Sequence, residues 1–163
     1  MRRIHQSKNV LGTDNQQERL RMGYWISGFT DGEGCFAISV IKNPTTHFGK
    51  QIFPEFVITQ GAKSLAALEM MKKYFGCGSI IVNKRYDNHN ENLYRYCVRS
   101  IGDLQNKIVP FFRMFPLKTY KANDFRIFQK IIALMERKQH LTEKGWEKVL
   151  VLASQMNRKK IRS

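Results

Sequence analysis

Tyr24-Trp25-Ile26-Ser27-Gly28-Phe29-Thr30-Asp31-Gly32-Glu33-Gly34-Cys35-Phe36 is the stretch from which the architecture of this chain can be read. It has the character of a helix end rich in small residues, followed by two carboxylates set among glycines and then by a strand. Gly23 and Ser27 lie one turn apart on a helix face, and Gly28 is adjacent, so another backbone can approach closely there. Asp31 and Glu33 put negative charge at the helix C-terminus, where the macrodipole disfavours it. A local rule broken without structural gain often marks a functional site. A divalent cation would relieve the misfit, because hard cations take carboxylate and carbonyl oxygens.

Outward from this stretch the elements alternate. A first helix is expected from about Asp14, capped by that side chain with Gln17 three residues on, to about Thr30. Two strands follow, 35–42 and 51–60. Alternation puts Phe36, Ile38 and Val40 on one face of the first and Ala37, Ser39 and Ile41 on the other. The second sets Ile52, Phe56 and Ile58 opposite Gln51, Phe53, Glu55 and Val57. Pro54 argues for a sheet edge or a bulge. A helical stripe covers 63–75. Strands 79–86 and 93–99 flank a polar turn over 87–92. Helices are expected over 103–112, 119–137 and 142–156, the last with Thr142 as its cap and Leu141 and Trp146 as a hydrophobic staple. The division expected is a flexible basic arm, 1–13, one domain, 14–157, and a basic tail, 158–163.

The net charge of +15, from 28 Lys and Arg against 13 Asp and Glu, points to a polyanionic partner, nucleic acid first. No apolar run approaches the ~20 residues needed to span a bilayer, so no membrane partner is expected. The N-terminal residues lack the apolar core of a secretory signal. Cys35, Cys77 and Cys97 are odd in number and show no C-x-x-C spacing, which argues against a zinc site or a disulfide framework. They suit small strand residues in a reducing compartment, an organelle matrix or a bacterial cytoplasm, and not a secreted protein.

Ile26-Ser27-Gly28-Phe29-Thr30-Asp31-Gly32-Glu33-Gly34 resembles the LAGLIDADG signature of homing endonucleases and their maturase relatives. Ser27 stands for the usual Ala and Glu33 for the second acidic Asp. The order helix, two strands, helix, two strands, then helices is similar to the αββαββα plan of that family. In that α+β fold an antiparallel four-stranded sheet packs one face on helices and leaves the other open to DNA; this chain adds helices at its C-terminal end. Pro110-Phe111-Phe112-Arg113 and Pro116-Leu117-Lys118-Thr119-Tyr120-Lys121-Ala122-Asn123 resemble the family segment that brings a basic residue to the active site.

The resemblance implies a site-specific, intron-encoded endonuclease that hydrolyses double-stranded DNA at a long, near-palindromic site. It implies Mg2+, with Mn2+ able to substitute. Glu33 is the expected metal ligand, with the Gly32 carbonyl as a second and Asp31 as a weaker candidate. Gln60, ending the second strand, matches a residue that orders water, and Lys118 one that approaches the scissile phosphate. One copy of the motif implies a homodimer packed through Gly23, Ser27 and Gly28. The alternatives are an intron-RNA maturase without cleavage and a DNA-binding regulator whose nuclease site has decayed.

The open face expected to meet DNA carries Ala37, Ser39, Ile41, Gln51, Phe53, Glu55, Val57, Ile81, Asn83, Arg85, Arg95, Cys97 and Arg99. Arginine there can make bidentate contacts to guanine. Phe53, Val57 and Ile81, if exposed, suit thymine methyls better than water. A strand of about eight residues spans roughly 26 Å, or about eight base pairs per subunit. His89-Asn90 lacks the further histidines of an HNH nuclease, and Pro54-Glu55 lacks the acidic-x-Lys of a restriction-type core.

Overall fold

The first helix, α1, runs Val10–Glu33, longer at both ends than the sequence suggests. The computed structural model describes residues 10–83 and 92–156, with the side chains of 10–14 and of Asn83 excluded. Asp14 therefore lies inside α1 rather than capping it, and the helix continues through Asp31 and Glu33. Strand β1, Gly34–Lys42, begins at once. Only glycine permits this switch at position 34, because a Cβ there would stand 2.6 Å from Thr30 Cγ2 and 2.9 Å from Thr30 O.

Strand β2 (Lys50–Gly61), helix α2 (Leu65–Phe75), strand β3 (Ser79–Asn83) and strand β4 (Leu93–Val98) follow. A helical turn α3 (Ile101–Asp103), a π-helical turn (Leu104–Ile108) and α4 (Val109–Met114) form one run. Pro110 sits in the first turn of α4, where its missing N–H is tolerated. Helices α5 (Lys121–Glu136) and α6 (Glu143–Ser154) close the chain. Residues 10–13 of the expected arm belong to α1; residues 1–9, the tail 158–163, the turn over 87–91 and the strand residues 84–86 lie outside the described residues.

The sheet is antiparallel in the order β1-β2-β4-β3. Its register pairs Phe36 with Phe56, Val57 with Cys97, and Ile81 with Arg95, as the alternation requires. Pro54 pairs with Ile38 of β1. On the other side β4 has ended at Val98 opposite Phe56, so β2 is locally an edge and the missing N–H breaks no ladder.

The helix-facing side carries an aromatic core. Phe36 is 1% exposed, and its ring lies 5.2–5.3 Å from those of Phe56, Phe112, Phe125 and Phe128. Such pairs add about 0.5–1.5 kcal/mol each beyond their area. Val149 and Met156 of the C-terminal segment are buried in the same core. The Thr142 hydroxyl caps α6 by accepting from Gly145 N at 3.1 Å. The expected staple is not the main contact of Trp146: Leu141 is 59% exposed, and the indole stacks on Phe48 at 4.7 Å, tying the β1–β2 loop to α6. Cys35 and Cys97 are strand residues, whereas Cys77 lies in the connection before β3.

Candidate active site and nucleic-acid interface

The C-terminal end of α1 and the N-terminal end of α5 hold each other. The Asp31 carboxylate accepts from Lys118 N at 2.6 Å, Thr119 N at 3.1 Å and Thr119 Oγ1 at 2.6 Å. These donors lie just ahead of α5, so Asp31 fixes the segment that enters that helix, and the Thr119 hydroxyl it holds accepts in turn from Lys121 N at 3.3 Å. In return Lys121 Nζ donates to the carbonyls of Thr30 (3.1 Å), Asp31 (2.8 Å) and Gly32 (2.9 Å). A cation therefore does relieve the adverse charge at the end of α1, but it is this chain's own ammonium. That contact explains why the helix runs three residues further than expected.

Burial pushes the Asp31 carboxyl up. The hydrogen bonds from the Thr119 hydroxyl and the Lys118 and Thr119 amides, with the nearby Lys121 charge, outweigh it and hold the carboxyl below its ordinary range. Both its oxygens are committed to the clasp.

Glu33 differs. It is exposed, and among the described residues it has neither a hydrogen-bond nor an ion-pair partner. Lys118 is exposed too, its amide fixed on Asp31 while its ammonium stays unpartnered among the described residues. The structure thus brings Lys118 to the motif, 87 residues away in sequence. Gln60 reaches the same end of the sheet: Ile58 pairs with Gly34, and Gln60 lies two residues beyond. Alternation, however, sets Gln60 with Ile58 and its partner Tyr94, while Thr59 takes the open face beside Arg95.

The donor set suits a hard cation. Glu33 offers a carboxylate without a partner among the described residues, and Gly32 O a carbonyl that already accepts from Lys121 Nζ. No group of three His, Cys, Asp or Glu occurs among the described residues. An ion here would keep several waters and draw further oxygens from elsewhere, which is the habit of Mg2+.

The small residues of α1 divide into two sets. Gly23 and Ser27 are buried within the chain and do not form a dimer surface as expected. A Cβ at Gly23 would stand 2.3 Å from the Phe115 ring, and Ser27 Oγ donates to Phe115 O at 3.0 Å. The close approach read from the sequence is real, but Phe115 makes it. Gly28 is exposed with nothing within 4 Å of an added Cβ. Gly32, one turn on, is likewise open, and Tyr24 and Trp25 are 66% and 40% exposed. Gly32 and Trp25 were not anticipated on this surface; the spacing 25, 28, 32 along one helical face was the available signal.

On the sheet surface away from the helices, Ser39, Ile41, Gln51 and Ile81 are exposed and Ala37, Phe53 and Thr59 partly exposed. Val57 and Cys97 are not: at 7% and 3% exposure they are covered by their neighbours and form the floor of the face. Their expected exposure to DNA is corrected accordingly. Glu55 is also buried, and accepts from Arg95 Nη2 and from Arg99 Nε, each at 2.7 Å. Arg99 lies over the Phe53 ring at 5.4 Å. Arg85 and the Asn83 side chain lie outside the described residues.

Residues 26–132 match the LAGLIDADG endonuclease family model. The chain is 34% identical over 140 residues to "Probable intron-encoded endonuclease 3" of Neurospora crassa, covering 85% of this chain and 25% of that protein. It spans about a quarter of the length of the first curated relatives it matches. The crystal structure of a homing endonuclease, I-TnaI, superposes with a TM-score of 0.74 at 40% identity, over 85% of this chain and 89% of that one. I-SmaMI bound to an uncleaved DNA target in the presence of calcium ions superposes with a TM-score of 0.75 at 31% identity, over 84% of this chain and 45% of that one.

Proposed function

The chain belongs to the LAGLIDADG endonuclease family, and on that premise we propose that it is a site-specific, metal-dependent, double-strand DNA endonuclease, intron-encoded and acting as a homodimer. The observation that carries this reading is the free Glu33 carboxylate, exposed at the end of the motif helix beside the anchored Lys118 segment. Asp31 does the structural work there, which leaves Glu33 unoccupied for chemistry.

Glu33 and the Gly32 carbonyl would hold Mg2+, or Mn2+ in its place. A divalent ion at such a site neutralises phosphate charge and assists the attacking and leaving oxygens. The Lys118 ammonium adds positive charge against the scissile phosphate, where charge grows in the transition state. Gln60, at the strand end, orients water. The sheet face, about 30 Å along the nine-residue β1, lies along the duplex, with Arg95 and Arg99 reading bases and the rest of the +15 charge gripping phosphates.

A second copy completes the unit. Gly28 and Gly32 leave α1 open to close approach, and the exposed Trp25, stacked on Phe29 at 5.0 Å, supplies apolar area beside them. Packing two such faces about a two-fold axis brings two Glu33 carboxylates together, one for each DNA strand. A near-palindromic target follows from that symmetry. The compartment proposed is the one holding the intron's DNA, an organelle matrix or a bacterial cytoplasm.

The test is cleavage of a randomised duplex library in Mg2+, beside Glu33→Gln and beside Ca2+. Recovery of one long, near-palindromic site cut only by the wild type in Mg2+ is expected, with Glu33→Gln still binding it. Cleavage by Glu33→Gln would remove the metal-ligand assignment. Binding without cleavage by the wild type would leave a DNA-binding protein, and neither would make intron RNA the ligand to try.

A further inference from the structure

We propose that Glu55 is a positioning residue that holds Arg95 and Arg99 as two preformed base-reading forks and makes no contact with DNA itself. The inference rests on the reading of this sheet face as a duplex-binding surface.

Glu55 is 7% exposed, on the face of β2 that turns away from the helices. Its two oxygens are divided: Oε1 accepts from Arg95 Nη2 and Oε2 from Arg99 Nε. A carboxylate is acceptor-only, and with both oxygens already accepting at 2.7 Å beneath two more exposed arginines, it is poorly placed to accept from a cytosine amine. Its β1 partner is Ala37, which has no polar group to compete. The arginines are different. Their side chains keep 36% and 39% of their exposure. Among the described residues Arg99 spends only its Nε–H on Glu55 and rests over Phe53, which leaves the Nη1/Nη2 end without a partner there. Among the described residues Arg95 spends one Nη2 donor, and its other N–H groups remain. An arginine has five donors in a fixed fork. Each arginine here therefore keeps enough of them, in a fixed plane, for the bidentate contact that distinguishes guanine.

Burying a Glu between two Arg residues is rarely a stability device, since desolvation consumes most of the attraction. Its effect on recognition is clearer. Without Glu55 the two guanidinium groups repel one another, lose their common anchor and turn to the nearest phosphates. The subunit also gains one positive charge next to DNA. Removing this carboxylate should therefore raise affinity for arbitrary DNA while lowering discrimination.

The test compares wild type, Glu55→Gln and Glu55→Asp by selection from a randomised duplex library and by binding to one unrelated duplex across salt concentrations. Glu55→Gln is expected to lose about tenfold of its base preference at two positions in each half-site, to bind the unrelated duplex more tightly, and to show a steeper salt dependence by roughly one ion per subunit. Glu55→Asp keeps the charge but is one methylene too short to reach both arginines. It should lose preference without the steeper salt slope. Altered preference at a single cytosine, with both guanine preferences intact, would overturn the proposal in favour of direct contact. Equal loss on all sequences, tracking a lower melting temperature, would overturn it in favour of a structural role.

The free protein gives an independent arm. The Arg99 Nε–H resonance should exchange slowly with water in the wild type and rapidly in Glu55→Gln; equal exchange in both would refute the positioning. If the wild type binds no duplex at all, the functional reading fails, and this exchange measurement still decides whether Glu55 holds the arginine.

Discussion

Gly23→Ala distinguishes a helix face packed inside one chain from a face packed against a second copy. The added methyl would sit 2.3 Å from Phe115 Cζ and 2.5 and 2.6 Å from its Cε atoms. Carbon atoms in comfortable contact are about 3.5–4.0 Å apart, so the ring must retreat by more than about 1 Å. It has little room: Phe115 is 4% exposed, edge-on to Tyr24 at 5.2 Å and tilted against Phe111 at 5.0 Å. Overpacking costs about 1–3 kcal/mol, and a ring confined on two sides belongs near ~3. Alanine returns about 1 kcal/mol of helix propensity over glycine. The net expectation is a loss of ~2 kcal/mol, or about 4–8 °C in the melting midpoint for a chain of this size. Urea unfolding at a fixed protomer concentration measures it, since association itself adds to apparent stability. Sedimentation at the same concentration reads the assembly state. Gly28→Ala is the control: its Cβ meets nothing in the protomer, so the helix gains up to ~1 kcal/mol while dimer association weakens. Adding Phe115→Leu to Gly23→Ala should recover part of the loss. A Gly23→Ala protein as stable as wild type, or one that stays folded but falls apart into protomers, would refute the assignment of Gly23 to the interior.

Lys121→Met should cost ~2 kcal/mol, because three carbonyls lose a charged donor; an unchanged urea midpoint would show that the ammonium does not hold the helix end. Asp31 has a lowered folded-state pKa, so its contribution is complete above the ordinary carboxylate value of about 4 and is lost as pH falls through the folded value. The stability gap between wild type and Asp31→Asn is thus expected to hold steady from about pH 7 to 5 and to close below about 4; a gap that widens on acidification would reverse the sign. Thr142→Ala should lower stability by ~1 kcal/mol through the cap of α6, read by thermal melting with no change in assembly.

Period-2 patterns were enough to place the sheet. Phe36, Phe56 and Tyr96 on one side and Ser39, Ile81 and Arg95 on the other follow from alternation alone, and the register bears this out. Pro54 was legible as an edge residue, although only the structure shows that β4 stops short of it. What the sequence could not disclose is the identity of distant partners. Gly23 and Ser27 announce a close approach, yet nothing local says whether Phe115 or another chain makes it. The family resemblance ranks Glu33 above Asp31 as a ligand, but the physical reason appears only with Thr119 and Lys118, which occupy the Asp31 carboxylate. Val57 and Cys97 read as exposed by alternation, yet they are 7% and 3% exposed; period 2 gives the face a side chain is on, not how far its neighbours cover it. Glu55 reads as one more polar group until its two arginines are in view.

The bonds that join the motif to α5 connect residues 87 to 91 apart in sequence. The hairpin from β1 to β2 closes far sooner and exposes basic and polar side chains as soon as it forms. Synthesis runs from the N-terminus, so Glu33 leaves the ribosome long before the lysines that stand beside it. Closing so long a loop is among the later events in folding. A nascent or half-folded chain can thus already carry charge attractive to nucleic acid while the proposed catalytic centre does not yet exist. Under the proposed function, the fold therefore makes completion of the whole protomer a condition of any strand break.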